Sequence, residues 1–521
     1  MKMPRIQKEL NACLQCGYCI SVCEAHNQFP WESVTPRGKI YYLNQLGNAN
    51  VIDGILNRDV SLSPYFVDAM YKCTGCGNCE VVCHANIELV EFWEKVRAWI
   101  VQNGAGPMKA HKGMANKVAE CHNPYGEPDS KRGDWWPSEV KKSHAPEAIF
   151  FAGCTGSYRQ QDVPQMGVKI LDRAGVTMNI LGEDEWCCSS PLLRTGTEQY
   201  SLECAEKVVE KADGMGAKDM VMTCSGCYKT VSCDFGKYYA KVGQNVYHFA
   251  QYVEKLIAER KLPLNNEFKA KVTYHDPCHL GRHMGVFDAP RNIMKKIKGL
   301  EVVEMDRSRE NSRCCGAGGG FKSQYNEFAV NIAAERIRDA EETGAEILVT
   351  CCPFCVVNLR QGAERAGSKI KVMDLSEILL HVTAPKEEPK LEPAVVTKPI
   401  ETPIEAKPEV KGIVDPAPCV EARKPVAVDG PMVISESAEQ TIRSVAQARG
   451  MRFRLSYSEH MIPVAFVKDK VAVFVLESGC VPSDAKEKME AEEWKILTFH
   501  AKDITDAEIQ VSQIASLMAS S

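Results

Sequence analysis

Long apolar runs are missing from this chain. No stretch approaches the roughly 20 apolar residues needed to cross a bilayer, so no membrane span is expected. Met1 to Leu10 is polar and leads straight into a cysteine motif, so no secretory leader is expected either. Charge of one sign is also scarce. A net charge of −5 over 521 residues suits a soluble protein and argues against non-specific nucleic-acid binding. Against these absences stand 24 cysteines. In a secreted chain they would suggest disulfides. In a reducing cytoplasm, the compartment expected here, they point to metal or redox clusters.

Cys13, Cys16, Cys19 and Cys23 form C-x2-C-x2-C-x3-C, and Cys73, Cys76, Cys79 and Cys83 repeat it. This resembles the bacterial ferredoxin run, and thiolate sulfur is the ligand that iron–sulfur clusters need. Identical three-residue steps suit zinc poorly. Gly17, Gly75 and Gly77 permit tight turns around a cluster. In two-cluster ferredoxins the fourth cysteine of each run serves the other cluster. That resemblance assigns Cys13, Cys16, Cys19 and Cys83 to one cubane [4Fe–4S] cluster. It assigns Cys73, Cys76, Cys79 and Cys23 to a second. The proline that follows the fourth cysteine in ferredoxins is absent; Glu24 and His84 stand there. Helices are expected over Ile40 to Leu46, Ser61 to Met70 and Val90 to Val101, so residues 1–103 resemble the alpha-helical type of dicluster ferredoxin.

The central region carries one cysteine pattern twice. Cys154, Cys187, Cys188, Cys224 and Cys227 form the first copy, and Cys278, Cys314, Cys315, Cys352 and Cys355 the second. The lone cysteine precedes the pair by 33 residues in one copy and 36 in the other, and the pair precedes the final C-x-x-C by 36 and 37. Two agreeing spacings mark an internal duplication. Five sulfurs are one more than a tetrahedral zinc site uses. Apolar strands are expected before Cys154 (Ala148 to Phe151) and Cys278 (Lys271 to Tyr274), at Thr177 to Leu181 and Leu300 to Glu304, and directly before each C-x-x-C (Asp219 to Met222; Glu346 to Val349). Helices over Tyr200 to Met215 and Glu327 to Thr343 alternate with them. That order predicts two parallel α/β sheets, over 146–262 and 263–382, with the cysteines at the carboxyl ends of the strands.

Residues 104–145 read as an irregular connector in which Cys121 and His122 are not ligands. Residues 383–428 form a Pro-rich linker. Cys419 within it, and Cys480 further on, are not expected to bind metal. Residues 429–521 read as a small α/β domain. Helices are expected at Ser437 to Arg449 and Asp506 to Met518. Strands are expected at Arg452 to Leu455, Val464 to Val467, Val471 to Val475 and Trp494 to Phe499. The motifs R-F-R-L, K-V-A-V-F-V and W-K-I-L resemble the very-short-patch-repair branch of the restriction-endonuclease-like fold. Val464 stands where that family has its magnesium-binding Asp, so nuclease chemistry is not expected.

The whole of residues 1–380 resembles one family. The C-C-G-x(n)-C-x-x-C signature, the segment Tyr274-His275-Asp276-Pro277-Cys278-His279-Leu280-Gly281-Arg282 and the run Cys314 to Gly320 match CCG proteins. A dicluster ferredoxin followed by two such units is similar to the catalytic subunit of heterodisulfide reductase from methanogenic archaea. The first copy departs in having Ser189-Ser190 after the pair in place of glycine. The resemblance implies two non-cubane [4Fe–4S] clusters, each held by five cysteines, facing each other between the two halves. It also implies a substrate, the coenzyme M–coenzyme B disulfide, each cluster taking one sulfur before two one-electron reductions release two thiols. The partner would be a cytochrome b-type membrane subunit or a soluble flavoprotein or hydrogenase-type donor. Location would be cytoplasmic, reaching the membrane's inner face only through that partner. The same layout occurs in iron–sulfur subunits of glycolate and lactate dehydrogenases, which makes pure electron relay the rival function. A scaffold or nucleic-acid-binding role through the C-terminal domain is a further rival, opposed by Val464 and the net negative charge.

Other residues carry open assignments. His275 and His279 either protonate the leaving thiolates or hydrogen-bond the cluster. Arg282, Arg313 and Lys322 either bind the anionic groups of the two coenzymes or balance cluster charge. Gly316 to Gly320 is read as a close approach of backbone to the cluster, not as a dinucleotide loop. Cys351 aligns with Thr223 and is not counted as a ligand.

Overall fold

The computed structural model describes residues 4–48 and 62–385, and, further on, 433–434, 454–457, 462–466, 471–478, 495–500 and 514. Contacts divide the chain into two units, Met1–Lys386 and Glu387–Ser521.

The first unit begins with a helical module. Helices Pro36–Asn48, Pro64–Tyr71 and Leu89–Gln102 surround the two ferredoxin runs. The second starts where the Ser63 hydroxyl caps the amide of Phe66 and Pro64 supplies a preset φ. The third buries Leu89, Phe92, Trp93, Val96, Trp99 and Ile100 along one face against Phe66, Met70 and Tyr71. The two runs share one local geometry. Positive φ occurs at Gln15 and Gly17 in the first and at Gly75 and Gly77 in the second. Glycine is the residue that takes this conformation without strain.

Two four-stranded parallel sheets follow. The first comprises β1 (Ala148–Phe151), β2 (Met178–Asn179), β3 (Asp219–Met222) and β4 (Asn245–His248), in the order β2-β1-β3-β4. The second comprises β5 (Ala270–Tyr274), β6 (Leu300–Val303), β7 (Ile347–Thr350) and β8 (Lys371–Asp374), in the order β6-β5-β7-β8. The two orders are identical, so the duplication seen in cysteine spacing is a duplication of fold. The central strands β1, β3 and β7 are buried along their whole length, as strands covered on both faces must be.

The sequence reading missed the fourth strand of each half. β4 is exposed or half-buried at three of its four positions and β8 at two of four, and edge strands of this kind lack the apolar run that marks β1 and β7. Each leads into a helix through a capping box, His248 with Gln251 before Phe249–Ala258 and Asp374 with Glu377 before Leu375–Val382. Burial raises the Asp374 carboxyl to about 7. A carboxyl raised in the folded state binds more protons than the unfolded chain, so its contribution weakens as pH rises from about 4 through 7. Asp374→Asn, which keeps the cap, is expected to flatten the fall in thermal stability between pH 5 and 8, as read by melting curves across that range.

Two expectations are corrected here. The connector is not irregular throughout: Lys109–Cys121 is a helix whose His111, Ala115 and Val118 are buried at helical spacing. Only three buried positions on a polar background left little periodic signal. The packed unit also runs slightly past residue 382. Thr383 and Ala384 are buried, and Asn266 Nδ2 donates to the Ala384 carbonyl.

In the second unit, described strands β9 (Val433–Ile434), β10 (Arg454–Tyr457), β11 (Ile462–Phe466), β12 (Val471–Ser478) and β13 (Lys495–His500) form one sheet. β10, β11 and β12 run antiparallel, and β13 joins β12 in parallel. Val464 lies in β11 opposite Leu455 and Val473. The helices expected at 437–449 and 506–518, apart from Ile514, and nearly all of the linker, including Cys419, lie outside the described residues, as does Cys480.

Candidate metal centre

Cysteine placement follows from the strands. β1 and β5 end just before Cys154 and Cys278, and β3 and β7 run directly into Cys224-x-x-Cys227 and Cys352-x-x-Cys355. Within the first half, thiol neighbours form a chain: Cys154 touches Cys187, Cys188 touches Cys227, and Cys227 touches Cys224. The second half repeats it, Cys278 touching Cys314, Cys315 touching Cys355, and Cys355 touching Cys352. Two further contacts join what the sequence keeps apart. Cys224 meets Cys352 between the halves, and Cys76 of the ferredoxin module meets Cys314.

The ferredoxin cysteines divide into two sets. Cys13, Cys16, Cys19 and Cys83 line one pocket with Leu14, Tyr18 and Arg37. Cys23 is half-buried beside Cys73 and Cys76, and Cys79 is half-buried beside those same two and Cys23. Burial pushes the Cys23 thiol up to about 12 and Cys79 well above the usual thiol range. Thiols this reluctant to ionise become thiolates only beside a cation.

Several buried donors have no hydrogen-bond partner among the described residues: Nε2 of His275, His279 and His283, Nη2 of Arg282, Nε and Nη1 of Arg132, and Nδ2 of Asn78. Orphaned donors of this kind are costly unless a ligand accepts from them. All of them belong to residues at or beside the cysteine sets. Backbone amides already aim at sulfur, Gly75 at Cys73 (3.4 Å), Ser189 at Cys187 (3.4 Å) and Gly316 at Cys314 (3.2 Å). A sulfur-rich ligand set surrounded by unmatched donors fits anionic iron–sulfur clusters.

The other predicted residues sort as follows. His279 Nδ1 lies 3.4 Å from Cys278 Sγ, and its ring packs against His283 with centroids 4.6 Å apart. Burial, then the neighbouring His283, Arg194 and Lys229, hold the His279 imidazole neutral, far below its ordinary pKa. A ring nitrogen of His275 lies within 4.8 Å of the sulfurs of Cys315 and Cys355. Arg282 donates to the carbonyls of Cys76, Glu310 and Ser312. It therefore ties the ferredoxin run to the second half. Arg313 is held by Glu24, Glu335 and Asp339, at 2.8–2.9 Å. Glu24, standing in the missing proline's place, is that clamp's ferredoxin end. Lys322 donates to the neutral side chains of Asn326, Asn358 and Gln361, and no carboxylate pairs with it among the described residues.

The glycine run proves to be a close approach, but largely to protein. A Cβ on Gly319 would lie 2.7 Å from the Cys73 carbonyl oxygen, and one on Gly318 2.6 Å from that of Thr74. Gly316, at φ +86°, would strike the Ala329 carbonyl at 2.4 Å. Its counterpart Ser189 holds the same left-handed conformation, at φ 65°, without glycine. Gly316→Ser is therefore expected to destabilise by about 2–4 kcal/mol from backbone strain and overpacking. Ser189→Gly is expected to stay within about 1 kcal/mol of the parent. Chemical denaturation of both variants reads the contrast.

Sequence reasoning missed three site neighbours. Arg132, fully buried, places Nη2 3.4 Å from Cys154 Sγ and 3.5 Å from Glu185. Cys204 is buried against Cys154 and Cys187 and hydrogen-bonded to Ser189. It sits on the buried face of helix Ser201–Gly214, so its burial was legible and its company was not. Lys39 lies buried beside Cys73 and Cys23, with Nζ donating to the Lys72 carbonyl. Cys351 takes a hydrogen bond from the Tyr274 hydroxyl at 3.3 Å.

A helical dicluster module joined to two fused cysteine-rich α/β halves defines an iron–sulfur oxidoreductase component. Sequence comparison bears this out. A 4Fe-4S dicluster domain matches residues 9–87, and the CCG cysteine-rich domain matches 148–232 and 272–360. One component of the dihydromethanophenazine:CoB–CoM heterodisulfide reductase of Methanosarcina barkeri is 37% identical over 381 residues, 71% of this chain and 93% of that one. One component of the fumarate reductase (CoM/CoB) of Methanothermobacter marburgensis is 30% identical over 71% of this chain and 72% of its own. The EtfAB:quinone oxidoreductase of Syntrophomonas wolfei is 29% identical over 71% and 58%. The chain belongs to the family of the heterodisulfide reductase catalytic subunit.

Proposed function

We propose that this chain reduces a disulfide, the coenzyme M–coenzyme B heterodisulfide, in the crevice between its two cysteine-rich halves. The observation that supports the reading is the Cys224 thiol beside Cys352, packed against the core of the second half, which brings a residue of one five-cysteine group to the other. The name of the Methanosarcina relative supplies the substrate. Cys13, Cys16, Cys19 and Cys83 would hold one cubane cluster and Cys23, Cys73, Cys76 and Cys79 the other, with a non-cubane cluster on each group of five. When bound, such clusters pass electrons singly, so a pair of them matches a two-electron disulfide.

The chain's own residues do the rest. Cys16 is exposed, and Leu14 and Tyr18 beside it are 70% and 57% exposed, so this face suits an electron-donating partner. A cytochrome b-type membrane protein is the partner we favour, because the Methanosarcina relative is one subunit of a dihydromethanophenazine-linked reductase; no described helix of this chain is long and apolar enough to span a membrane. Cys76 against Cys314 leads electrons from the ferredoxin module into the second half. His279 sets its Nδ1 against Cys278. Lys322, lacking a carboxylate partner, supplies positive charge for an anionic coenzyme. We keep the domain limits of the sequence reading, except that the second half extends through Ala384 and the connector contains the helix Lys109–Cys121.

The test is anaerobic turnover. Iron-replete chain, reduced with a viologen and given the heterodisulfide, should oxidise the dye, and a half-reduced sample given one thiol coenzyme should show a new paramagnetic signal. Absence of both in protein of full iron content would instead make it an electron relay for a flavin-dependent dehydrogenase.

A further inference from the structure

The two halves share a fold but differ at one buried position. Three residues before the lone cysteine, the first half has Phe151 and the second His275. Phe151 is fully buried in the apolar core. His275 is equally buried, and its backbone is fixed, with N–H donating to Val349 and C=O accepting from Thr350 Oγ1.

The ring is fixed as well. Arg336 Nε donates to His275 Nδ1 at 3.3 Å. Arg336 is itself fully buried and held by the Arg307 carbonyl, Asp339 and Ser312. A guanidinium can only donate, so Nδ1 must accept, and the proton of the neutral ring sits on Nε2. That Nε2 has no partner among the described residues, while Cys315 and Cys355 offer sulfurs within 4.8 Å of a ring nitrogen. The first half has no equivalent donor among the described residues. Its nearest counterpart, Arg132 on Cys154, is offset by the carboxylate of Glu185.

We infer that His275, locked as its Nε2–H tautomer by Arg336, is a positioning residue that donates a hydrogen bond to the sulfurs of the second five-cysteine group and makes that group's cluster easier to reduce. The inference rests on the proposed presence of a cluster there. A hydrogen bond to sulfur stabilises the extra negative charge of the reduced state, which raises the reduction potential. The half that receives electrons from Cys76 is thus set apart from the half beyond it.

The test uses the full, iron-loaded chain and a redox titration followed by EPR, with the second group's signal identified by its loss in Cys278→Ala. His275→Phe copies the first half and should move that signal's midpoint to more negative potential, leaving the ferredoxin signals in place. His275→Gln, which keeps an N–H, should recover most of the shift. Arg336→Gln, which releases the tautomer, should shift it less than His275→Phe does, and it decides the matter if His275→Phe loses iron. Labelling histidine with nitrogen-15 should give only a weak coupling. An unmoved midpoint, or the strong coupling of an iron-bound nitrogen, would overturn the inference. Absence of any five-cysteine signal from the parent chain would sink the cluster reading itself.

Discussion

Replacing Cys76 with alanine should all but stop electron delivery to the cysteine-rich halves. Cys76 is the one ferredoxin thiol seen touching the second half, through Cys314 among the described residues. The front pocket of Cys13, Cys16, Cys19 and Cys83 does not include it. The variant should therefore keep a reducible front cluster while the signals of the five-cysteine groups fail to follow. Changes around a metal that spare its ligands commonly cost about 10–100-fold. Loss of a proposed ligand on the route itself should exceed that, so turnover should fall by more than about 100-fold. Rapid mixing with reduced viologen, freezing and EPR would measure it. Parent-like reduction of the inner groups would mean that electrons bypass this contact.

The largest loss of stability should come from Arg97→Ala. The Arg97 side chain is buried, and its guanidinium donates to four carbonyls: Met70, Cys73, Arg194 and Gly319. Those residues belong to the ferredoxin module, the first half and the second half, so one side chain joins all three. The ring of Tyr71 lies 5.2 Å from the guanidinium carbon. Removing it leaves buried carbonyls unmatched, and losses of this type cost about 3–5 kcal/mol. At roughly 1 °C per kcal/mol for a packed unit that runs to Lys386, the melting temperature should drop by about 5 °C. Arg97→Lys should rescue little, because an ammonium cannot fork to carbonyls on separate modules. Differential scanning calorimetry of the iron-loaded chain would decide. A fall under about 1 kcal/mol would show that the modules are held together elsewhere.

Both effects turn on contacts between residues far apart in the chain, and this marks the limit of sequence reasoning here. The repeated spacing of cysteines made the duplication legible, because equal chain lengths between ligands reflect equal strand–helix units. The buried strands β1, β3 and β7 were legible for a similar reason: burial on both faces demands an unbroken apolar run. Edge strands β4 and β8 carry no such demand, and the polar helix Lys109–Cys121 shows little of its buried stripe. For Arg282 and Arg313 the sequence left two roles open, binding the anionic coenzymes or balancing cluster charge. Tertiary structure commits one to backbone carbonyls and the other to Glu24, Glu335 and Asp339.

What the sequence alone determined was therefore the local pattern: where the cysteine motifs repeat, and that the lone cysteine and the C-x-x-C of each five-cysteine group follow parallel strands. Tertiary structure decided what faces what. That Cys224 lies beside Cys352 and that Cys76 lies beside Cys314 depend on how separately folded units pack, and that Arg336 bonds His275 depends on packing within the second half. Packing is set by the shape and charge of whole surfaces, and no local spacing encodes it.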